Sequence, residues 1–263
     1  MTEIKRISFS ELKNWSECPY RHKLVYIDKL PHFSGNEYTA FGTAIHYVCE
    51  NIVVGYTSKV FPPDNIIKIF MKKFDEEINK LTCDINEQLI SDMKKQGEDL
   101  VGYILPELKN TFKKYEVTSV EEQLLEDIDE IESYGRKFKG FIDLVIKTPD
   151  GKYHVIDWKT CSWGWDSRKK TAPMTTYQLT YYKHYFAKKH KINPDNIETY
   201  FALLKRTAKK EKVEIYRVTS GEKKIQNSLK MLEKAVINIE KKNYIKNRLS
   251  CKYCKFYKTE HCT

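Results

Sequence analysis

The chain has 263 residues, of which 41% are hydrophobic and 31% charged, and 46 lysines and arginines against 36 acidic residues give a net charge of +10. This length suits one large domain and is enough to bury a core. The basic balance favours a polyanionic partner, although charge alone indicates nucleic acid only weakly. No stretch approaches 18 uncharged apolar residues and the first residues lack the apolar centre of a signal peptide, so we expect a soluble, cytoplasmic protein without a membrane partner.

The first 115 residues have mostly the apolar periodicity of helices. The tetrapeptide SFSE at residues 8–11 has the form of a capping box, which predicts a helix that begins near Phe9 and ends by Pro19. Further helices are predicted from Ala40, from Pro62-Pro63-Asp64, and from about Glu87 to Tyr115 with a kink or break at Pro106.

The pattern changes to that of strands after Val117. Strands are predicted at Val117–Ile128, Phe138–Lys147, Tyr153–Lys159, Ile197–Leu204 and Val213–Val218, and helices at about Met174–Lys189 and Ser220–Tyr244. The turn signal Pro149-Asp150-Gly151 predicts that the second and third strands form an antiparallel hairpin. This order of elements predicts an α/β fold with a mixed central sheet flanked by helices.

Charged residues interrupt the two strands of this hairpin. Because strand side chains alternate, Asp157 and Lys159 project from one side of the sheet, and the hairpin can bring Asp143 to them. Either aspartate alone would more often be a solvated strand-end residue, but two crowded carboxylates repel each other unless a cation lies between them. Mg²⁺ or Mn²⁺ prefers such oxygen ligands together with a phosphate, and a nearby lysine can orient or help deprotonate a water on the ion. The set fits phosphodiester hydrolysis.

These residues also carry a family resemblance. GFID at residues 140–143, followed by VIDWKT at residues 155–160, resembles the catalytic core of the PD-(D/E)XK nuclease superfamily. The motif S-x-L with Trp15 and CPYR at residues 10–21, GTAIH at residues 42–46 and YQLTYY at residues 177–182 resemble its RecB-like branch. The resemblance implies a restriction-endonuclease-like core within a single RecB-like nuclease domain over residues 1–263. A helical part would span 1–116, the catalytic α/β core 117–218, and a C-terminal helix with a cysteine cluster 219–263, packed back on the N-terminus.

The resemblance also implies roles for individual residues. His46, Asp143 and Asp157 would be metal ligands together with the carbonyl of Trp158, and Lys159 would be the catalytic lysine.

A second pair of implied site residues lies on the predicted helix that follows. Gln178 and Tyr182 are four residues apart and share one face, where they would contact the DNA strand and order the site. An acidic residue of the preceding strand also assists in this family, and the sequence leaves Glu121 and Glu122 both open for that position.

Cysteines form a second candidate site. Cys251 and Cys254 form a C-x-x-C pair, Cys262 follows, and Cys18 can complete a set of four. One N-terminal cysteine with three C-terminal ones resembles the iron–sulfur subset of RecB-like nucleases, including the AddB nuclease domain and stand-alone CRISPR-adaptation nucleases. The resemblance implies a structural 4Fe-4S cluster that joins the chain ends, and structural zinc, with His261 replacing one thiolate, is the alternative. The three remaining cysteines have no such spacing; they are Cys49, Cys83 and Cys161.

Basic and aromatic residues near the predicted core suit a single strand, because cations hold phosphates and rings stack on bases. They are Arg168, Lys169, Lys170, Lys205, Arg206, Lys209, Lys210, Lys212, Trp163 and Trp165. No phosphate-binding loop of a helicase motor is present, so we expect the chain to act alone or with a separate helicase or recombination partner.

Together these features predict a Mg²⁺- or Mn²⁺-dependent DNA exonuclease that acts on single strands or DNA ends in recombination, repair or replication. Two alternatives remain open: a non-catalytic nucleic-acid-binding adaptor that keeps the iron–sulfur cluster, and a CRISPR-adaptation nuclease that trims integration substrates. The resemblance also allows an oligomer.

Overall fold

The computed structural model of the chain describes residues 4–58 and 64–263. The predicted helix opening at Pro62-Pro63 therefore lies outside the described residues. The strands are β1 (Arg6–Ser8), β2 (Glu116–Asp127), β3 (Lys137–Lys147), β4 (Tyr153–Cys161), β5 (Ile197–Lys205) and β6 (Val213–Val218). The helices are α1 (Phe9–Glu17), α2 (Pro19–His22), α3 (Glu37–Ser58), α4 (Asp64–Ile78), α5 (Glu87–Val101), α6 (Ile104–Phe112), α7 (Ser167–Thr171), α8 (Pro173–His190) and α9 (Glu222–Glu240).

The strands of the described residues form one six-stranded sheet in the order β1-β3-β4-β5-β6, with β2 also paired to β3. The pairs β1–β3 and β4–β5 are parallel and the others are antiparallel, so the predicted mixed sheet flanked by helices is confirmed. The predicted hairpin is confirmed as well, because β3 and β4 pair antiparallel around the turn at Pro149-Asp150-Gly151.

A gap in this sheet is its most consequential feature. Strand β2 follows β3 along its whole length, so β1 and β4 share the other edge of β3. Pairing with β1 ends at Lys139, and pairing with β4 begins at Leu144. Residues 140–143 therefore have no strand partner at this edge within the described part of the chain. Their backbone faces an opening in the middle of the sheet.

The helices cover the sheet on two sides and give two apolar cores. One core lies between the sheet and α1, α8 and α9, and the other lies between the sheet and α3 to α6. Alternation along β4 explains the division, because Val155 enters the first core while Ile156 and Trp158 enter the second. The even-numbered residues of this stretch anchor β4 on the α3 side, which leaves Asp157 and Lys159 facing the α8 side.

The boundaries differ from the predictions where polar caps decide them. Helix α3 begins at Glu37 rather than Ala40, because Asn36 and Thr39 cap its start reciprocally, with each side chain accepting from the other's backbone N–H. The predicted break near Pro106 lies at residues 102–103, so the proline occupies the first turn of α6, where no helical N–H is required.

The predicted capping box forms only in part. Ser8 accepts the backbone N–H of Glu11 at 3.2 Å, as predicted. The carboxylate of Glu11 does not return to Ser8 but approaches the buried His22, with Oε1 2.9 Å from Nε2. Ser8 ends β1 and is paired with Lys139, a short strand that the sequence analysis did not predict. The N-terminal helical part thus contributes one strand to the central sheet.

Hydropathy places no described helix across a bilayer, since none is both long enough and apolar enough to span one.

Candidate active site

Strand β4 holds an ion pair between the sheet and α8. The side chain of Asp157 is almost fully buried, and Lys159 Nζ lies 2.5 Å from its Oδ2. Gln178, on α8, donates from Nε2 to Asp157 Oδ1 at 2.8 Å. Both carboxylate oxygens of Asp157 are thus placed by neighbours on rigid elements before any ligand binds.

Asp143 lies where β3 and β4 separate. Because backbone pairing between the strands ends at Leu144 and Ile156, the N–H of Trp158 has no partner on β3 and donates instead to Asp143 Oδ2 at 2.7 Å. This hydrogen bond replaces a missing rung of the ladder with a side chain. It holds the carboxylate of Asp143 beside the backbone that follows Asp157.

Helix α3 brings a histidine to the same place. Nδ1 of His46 lies 3.7 Å from Asp143 Oδ2, and its ring hydrogen-bonds with the backbone of Trp158. Gly42 precedes it by one turn, and a Cβ at Gly42 would stand 3.3 Å from Thr160 Oγ1, so the absence of a side chain lets α3 approach β4 closely. Three of the four predicted ligands, His46, Asp143 and Trp158, are therefore brought together, whereas the carboxylate of Asp157 contacts Lys159 and Gln178.

Glu121 completes the cluster. One ligand atom each of His46, Glu121 and Asp143 lies within 4.8 Å of the other two, and the described residues contain no other such group of three candidate ligands. Two ligands of one Mg²⁺ are at most about 4.2 Å apart, twice the metal–oxygen distance, so a small adjustment lets all three bind one ion. The donors, an imidazole and two carboxylates, also suit Mn²⁺.

The choice between the two glutamates of β2 is made by the backbone. Glu121 has a left-handed conformation with φ of 49°, and it lies between Val120 and Glu122, whose partners on β3 are Leu144 and Ile142. The local distortion turns the side chain of Glu121 to the site. Glu122 is engaged elsewhere.

The contacts of Glu122 show that engagement. Its Oε1 accepts from Lys189 Nζ at 2.8 Å and lies 2.5 Å from His190 Nε2, both near the end of α8.

The sequence analysis missed Glu50, one turn after His46 on α3. Its carboxyl hydrogen-bonds to that of Glu121, and burial together with the charge of Glu121 raises the pKa of Glu50 to about 7. The pair thus tends to share a proton in the absence of metal. The spacing His-x-x-x-Glu on a helix, which puts both side chains on one face, is the signal that could have found it.

Electrostatics of the cluster show a need for positive charge. Burial and the charge of Asp157 raise the pKa of Asp143 well above its usual value, and burial lowers the pKa of His46. Burial alone would lower the pKa of Lys159, but Asp157 and Asp143 outweigh it and raise the pKa, so Lys159 stays an ammonium. One lysine is left to balance several carboxylates, which is the setting a divalent cation relieves.

Tyr182 and Gln178 seal the gap in the sheet from the α8 side. Gln178 Nε2 lies 3.1 Å from the hydroxyl of Tyr182, and that hydroxyl also hydrogen-bonds to the backbone of Phe141. A Cβ at Gly140 would stand 2.9 Å from the Tyr182 ring, so glycine lets this ring reach the edge of β3. Both predicted helix residues thus lie at the carboxylates.

A groove leads from these carboxylates to the start of α1. We call it the active-site groove; it is lined by Arg6, residues 8–11, Tyr26, residues 139–141, Asp143, Asp157, Lys159, Gln178 and Tyr182. Neither Trp163 nor Trp165 is among its lining residues. Trp165 packs edge-on against Phe201, with ring centroids 5.2 Å apart, and Trp163 is 74% exposed.

Several predicted phosphate-binding cations have acidic partners instead. Lys170 and Lys205 both pair with Glu214, and Lys212 Nζ lies 2.6 Å from Asp99 Oδ2. Arg206 donates to Gln96 and Ser162. These contacts neutralise part of the predicted basic surface.

The four cysteines of the predicted cluster line one cavity between the chain ends. Cys18, at the junction of α1 and α2, accepts backbone N–H groups of Arg21 and Asn247 on its sulfur, each at 3.4 Å. Asn247 and Ser250 bind the carbonyl of Glu17 at 2.8 and 2.6 Å, which fixes the C-terminal segment to the end of α1. No disulfide links cysteines of the described residues. His261 does not line this cavity.

Comparisons with known proteins agree with this architecture. The family model described as the PD-(D/E)XK nuclease superfamily matches residues 6–259. The chain therefore belongs to the PD-(D/E)XK nuclease superfamily, whose members are hydrolytic nucleases that act on DNA and whose fold usually binds a divalent metal.

Solved structures give a likeness of fold. A crystal structure from Eubacterium rectale, described as a "putative exonuclease", shares 14% sequence identity over 95% of this chain and 86% of that one, with a TM-score of 0.59. The structure of SSO0001 shares 17% identity over 97% and 85% of the two chains, and its TM-score of 0.42 is too low to support a comparison. No curated protein gives a significant sequence match.

Proposed function

We propose that this nuclease is a metal-dependent deoxyribonuclease of the RecB-like branch, organised as a single domain over residues 1–263, and that it acts as an exonuclease on single strands or DNA ends. The observation that carries the proposal is the convergence of His46, Glu121 and Asp143 within 4.8 Å beside the Asp157–Lys159 ion pair. These donors fit Mg²⁺ or Mn²⁺, and the groove beside them gives a strand access.

Four side chains are the proposed ligands of the metal ion. His46, Glu121, Asp143 and Asp157 would hold the ion, with the Trp158 carbonyl adjacent. When bound, the cation supplies Lewis-acid polarisation of the phosphate and a more acidic water.

Lys159 has the complementary role. As an ammonium it can donate to the attacking water or to a phosphate oxygen, which orients the nucleophile and offsets the charge that develops on phosphorus. Gln178 holds Asp157 through Oδ1, so it positions the ion pair rather than the substrate.

The test is product analysis on 5′- and 3′-end-labelled linear and on closed-circular single-stranded DNA, with Mg²⁺, Mn²⁺ or EDTA. An exonuclease degrades only the linear strand, needs the metal, and releases label first from one end. Asp157→Ala should abolish cleavage while leaving the fold intact by circular dichroism. Metal-dependent cutting of the circle would refute the exonuclease assignment, and binding without cleavage of either substrate would favour the adaptor alternative.

We also propose a 4Fe-4S cluster on Cys18, Cys251, Cys254 and Cys262. Their common cavity and the two N–H donors aimed at the Cys18 sulfur support a ligated thiolate there. Four thiolates can also hold a structural zinc ion, so metal analysis must decide between the two.

Absorption spectra and metal analysis of anaerobically purified protein distinguish a 4Fe-4S cluster from structural zinc. A cluster predicts visible charge-transfer absorption with about four irons and four sulfides per chain. A colourless protein with stoichiometric zinc would overturn the cluster and leave the nuclease proposal untouched, because the two sites use different residues.

A further inference from the structure

The active-site groove contains an exposed aromatic ring that the catalytic arrangement does not use. Phe141 is 40% exposed although it lies on β3, two residues before Asp143. Exposure on a central strand has a structural cause here, since residues 140–143 border the gap in the sheet. Lys139, two residues before Phe141 on β3, places its Nζ 5.2 Å from the ring centroid.

The cations beside this ring are free of carboxylate partners. Among the described residues, neither Lys139 nor Arg6 forms an ion pair, whereas the neighbouring Lys5 and Lys137 pair with Glu240 and Asp127. Lys5 and Lys137 do not line the groove and are neutralised, whereas Arg6 and Lys139 line it without an acidic partner among the described residues; the third cation of its lining, Lys159, is paired with Asp157. The unpaired charge suits phosphates.

The spacing of these side chains follows from the strand. Lys139, Phe141 and Asp143 are alternate residues of β3 and all line the groove, so they succeed one another at about 6.7 Å, twice the rise per residue. A strand of nucleic acid that follows β3 would meet a carboxylate of the proposed metal site, then an aromatic face, then a cation. This is the alternation of phosphate and base that single-strand binding sites use.

Tyr182 makes the position of the ring rigid. Its hydroxyl binds the backbone of Phe141, and its own ring fills the space beside Gly140. Strand β2 holds the other edge, where Phe141 is paired with Gln123. The backbone that carries the exposed ring is therefore fixed on both sides, which lowers the entropy lost when a base stacks on it.

We propose that Phe141 is a stacking platform for the unpaired base next to the scissile phosphate, and that Lys139 and Arg6 hold the phosphate beyond it. This inference rests on the proposed function, because it assigns a substrate class to the same site. A base can reach the ring only when it is unpaired, so the platform makes the groove selective for single-stranded nucleic acid over a duplex. It replaces the role first considered for Trp163 and Trp165.

The cleavage test combines variants of Phe141 with substrates that lack one base. Phe141→Ala should raise KM for single-stranded DNA roughly 5- to 150-fold, the range that corresponds to one lost stacking contact, with kcat nearly unchanged. A single abasic site is placed in turn at each of the first positions from either end. Wild-type protein should show a comparable penalty at one position, and Phe141→Ala should show none there.

Matched variants separate stacking from packing. Phe141→Leu keeps an apolar side chain without a ring and should behave like Phe141→Ala, while Phe141→Trp should restore the position-specific penalty. Trp163→Ala removes an exposed ring outside the groove and should match the wild type. An abasic profile that is the same in Phe141→Ala and wild type would overturn the inference, whatever the change in KM.

A binding arm keeps this inference distinct from the proposed function. Fluorescence anisotropy with a labelled single-stranded oligonucleotide and a blunt duplex of the same sequence is measured in EDTA, where hydrolysis stops. Wild type should prefer the single strand, and Phe141→Ala should lose most of that preference. If wild type cuts nothing but shows this difference, the nuclease proposal fails and the platform stands. If cleavage occurs and Phe141→Ala binds the single strand and the duplex as wild type does, the stacking platform is refuted and the nuclease proposal stands.

Discussion

The carboxylate site and the cysteine clip differ in what holds their ligands in place. By cysteine clip we mean Cys18, Cys251, Cys254 and Cys262. The carboxylates and His46 project from β2, β3, β4 and α3, elements packed between two large apolar cores. The clip joins the end of α1 to a segment whose regular structure is the short 3₁₀ helix Arg248–Tyr253, and only a small apolar cluster supports it.

This difference predicts how far the local structure of each site depends on a bound metal. Sheet and helix hold the carboxylates together, and burial followed by the charge of Asp157 raises the pKa of Asp143. The clip has few packed neighbours to do the same. We expect removal of the metal to abolish activity at the carboxylate site without unfolding it. Removal of the metal from the cysteine clip should lower the stability of that region.

The largest expected effect is on catalysis by the carboxylate site. Lys159→Ala should lower the rate of hydrolysis at least about 100-fold, because it removes the ammonium paired with Asp157, which the proposal places beside the developing charge. The control is Lys152→Ala, which breaks an ion pair with Glu198 at the far end of β4. Initial rates on a labelled single strand with Mn²⁺ check this, and a rate within about threefold of wild type would contradict it.

Loss of the clip should instead affect stability. Cys254→Ser should remove the visible absorption and lower Tm by roughly 5–10 °C, since about 2–3 kcal/mol corresponds to a shift of 2–4 °C for each kcal/mol. Its affinity for Mn²⁺ should stay within about threefold. Cys83→Ser, which changes an exposed cysteine outside the clip, is the control for calorimetry and titration. A Cys254→Ser protein that melts like Cys83→Ser would contradict the comparison.

Metal binding by the carboxylates should depend on pH. Because the pKa of Asp143 is raised, a proton competes with the ion, and apparent Mn²⁺ affinity should increase with pH by up to tenfold per unit for one proton released. Titration calorimetry in two buffers of different ionisation enthalpy counts the protons. An affinity that does not change with pH and releases no proton would contradict competition between a proton and the ion at Asp143.

The metal-free protein should show the opposite trend in stability. Glu50 has a folded-state pKa of about 7 against an ordinary value of 4.5, so its contribution is present below pH 4.5 and is lost as the pH rises to 7. Glu50→Gln should therefore gain stability relative to wild type at pH 8 and not at pH 4, by about 1 kcal/mol because the group is partly solvated. Urea unfolding in EDTA measures the difference, and an equal effect at both pH values would contradict it.

The smallest expected effect concerns the attachment of α9, which precedes the clip. Burial would raise the pKa of Glu240, but Arg136 and Lys5 outweigh it and lower the pKa. Its stabilisation is thus present at neutral pH and lost as the pH falls through the folded pKa. Glu240→Gln should cost about 1 kcal/mol at pH 7 and progressively less as the pH falls below 4.5, which urea unfolding at several pH values measures. The same loss in a protein without the cluster would show that the helix docks independently of the clip.

The sequence could predict what depends on local periodicity. The hairpin and the placement of Asp157 and Lys159 on one side follow from a turn signal and an alternation of two. The gap at residues 140–143 could not be predicted, because it depends on the register at which β1, a strand far away in the sequence, joins the edge of β3 that β4 leaves at Leu144. The Glu50–Glu121 contact was missed for the same reason, since it joins α3 to a distorted residue of β2.

For base stacking, the sequence indicated two aromatic residues that do not line the active-site groove. Trp163 and Trp165 are close in sequence to the catalytic lysine, and proximity along the chain suggested a role in binding bases. The structure packs Trp165 against Phe201 and leaves Trp163 outside the groove. The sequence analysis gave Phe141 no role of its own, because the exposure of a residue on a central strand is visible only once the sheet is assembled.

The central claim is that His46, Glu121, Asp143 and Asp157 converge on one divalent ion. Its most direct test is titration of the wild type with Mn²⁺, followed by calorimetry or by the loss of the free-ion resonance in electron paramagnetic resonance, in parallel with Asp143→Asn. The account predicts one ion per wild-type chain at this site and an affinity at least about 10-fold weaker in Asp143→Asn, whose fold is unchanged. Equal affinity and stoichiometry in the two proteins would contradict it.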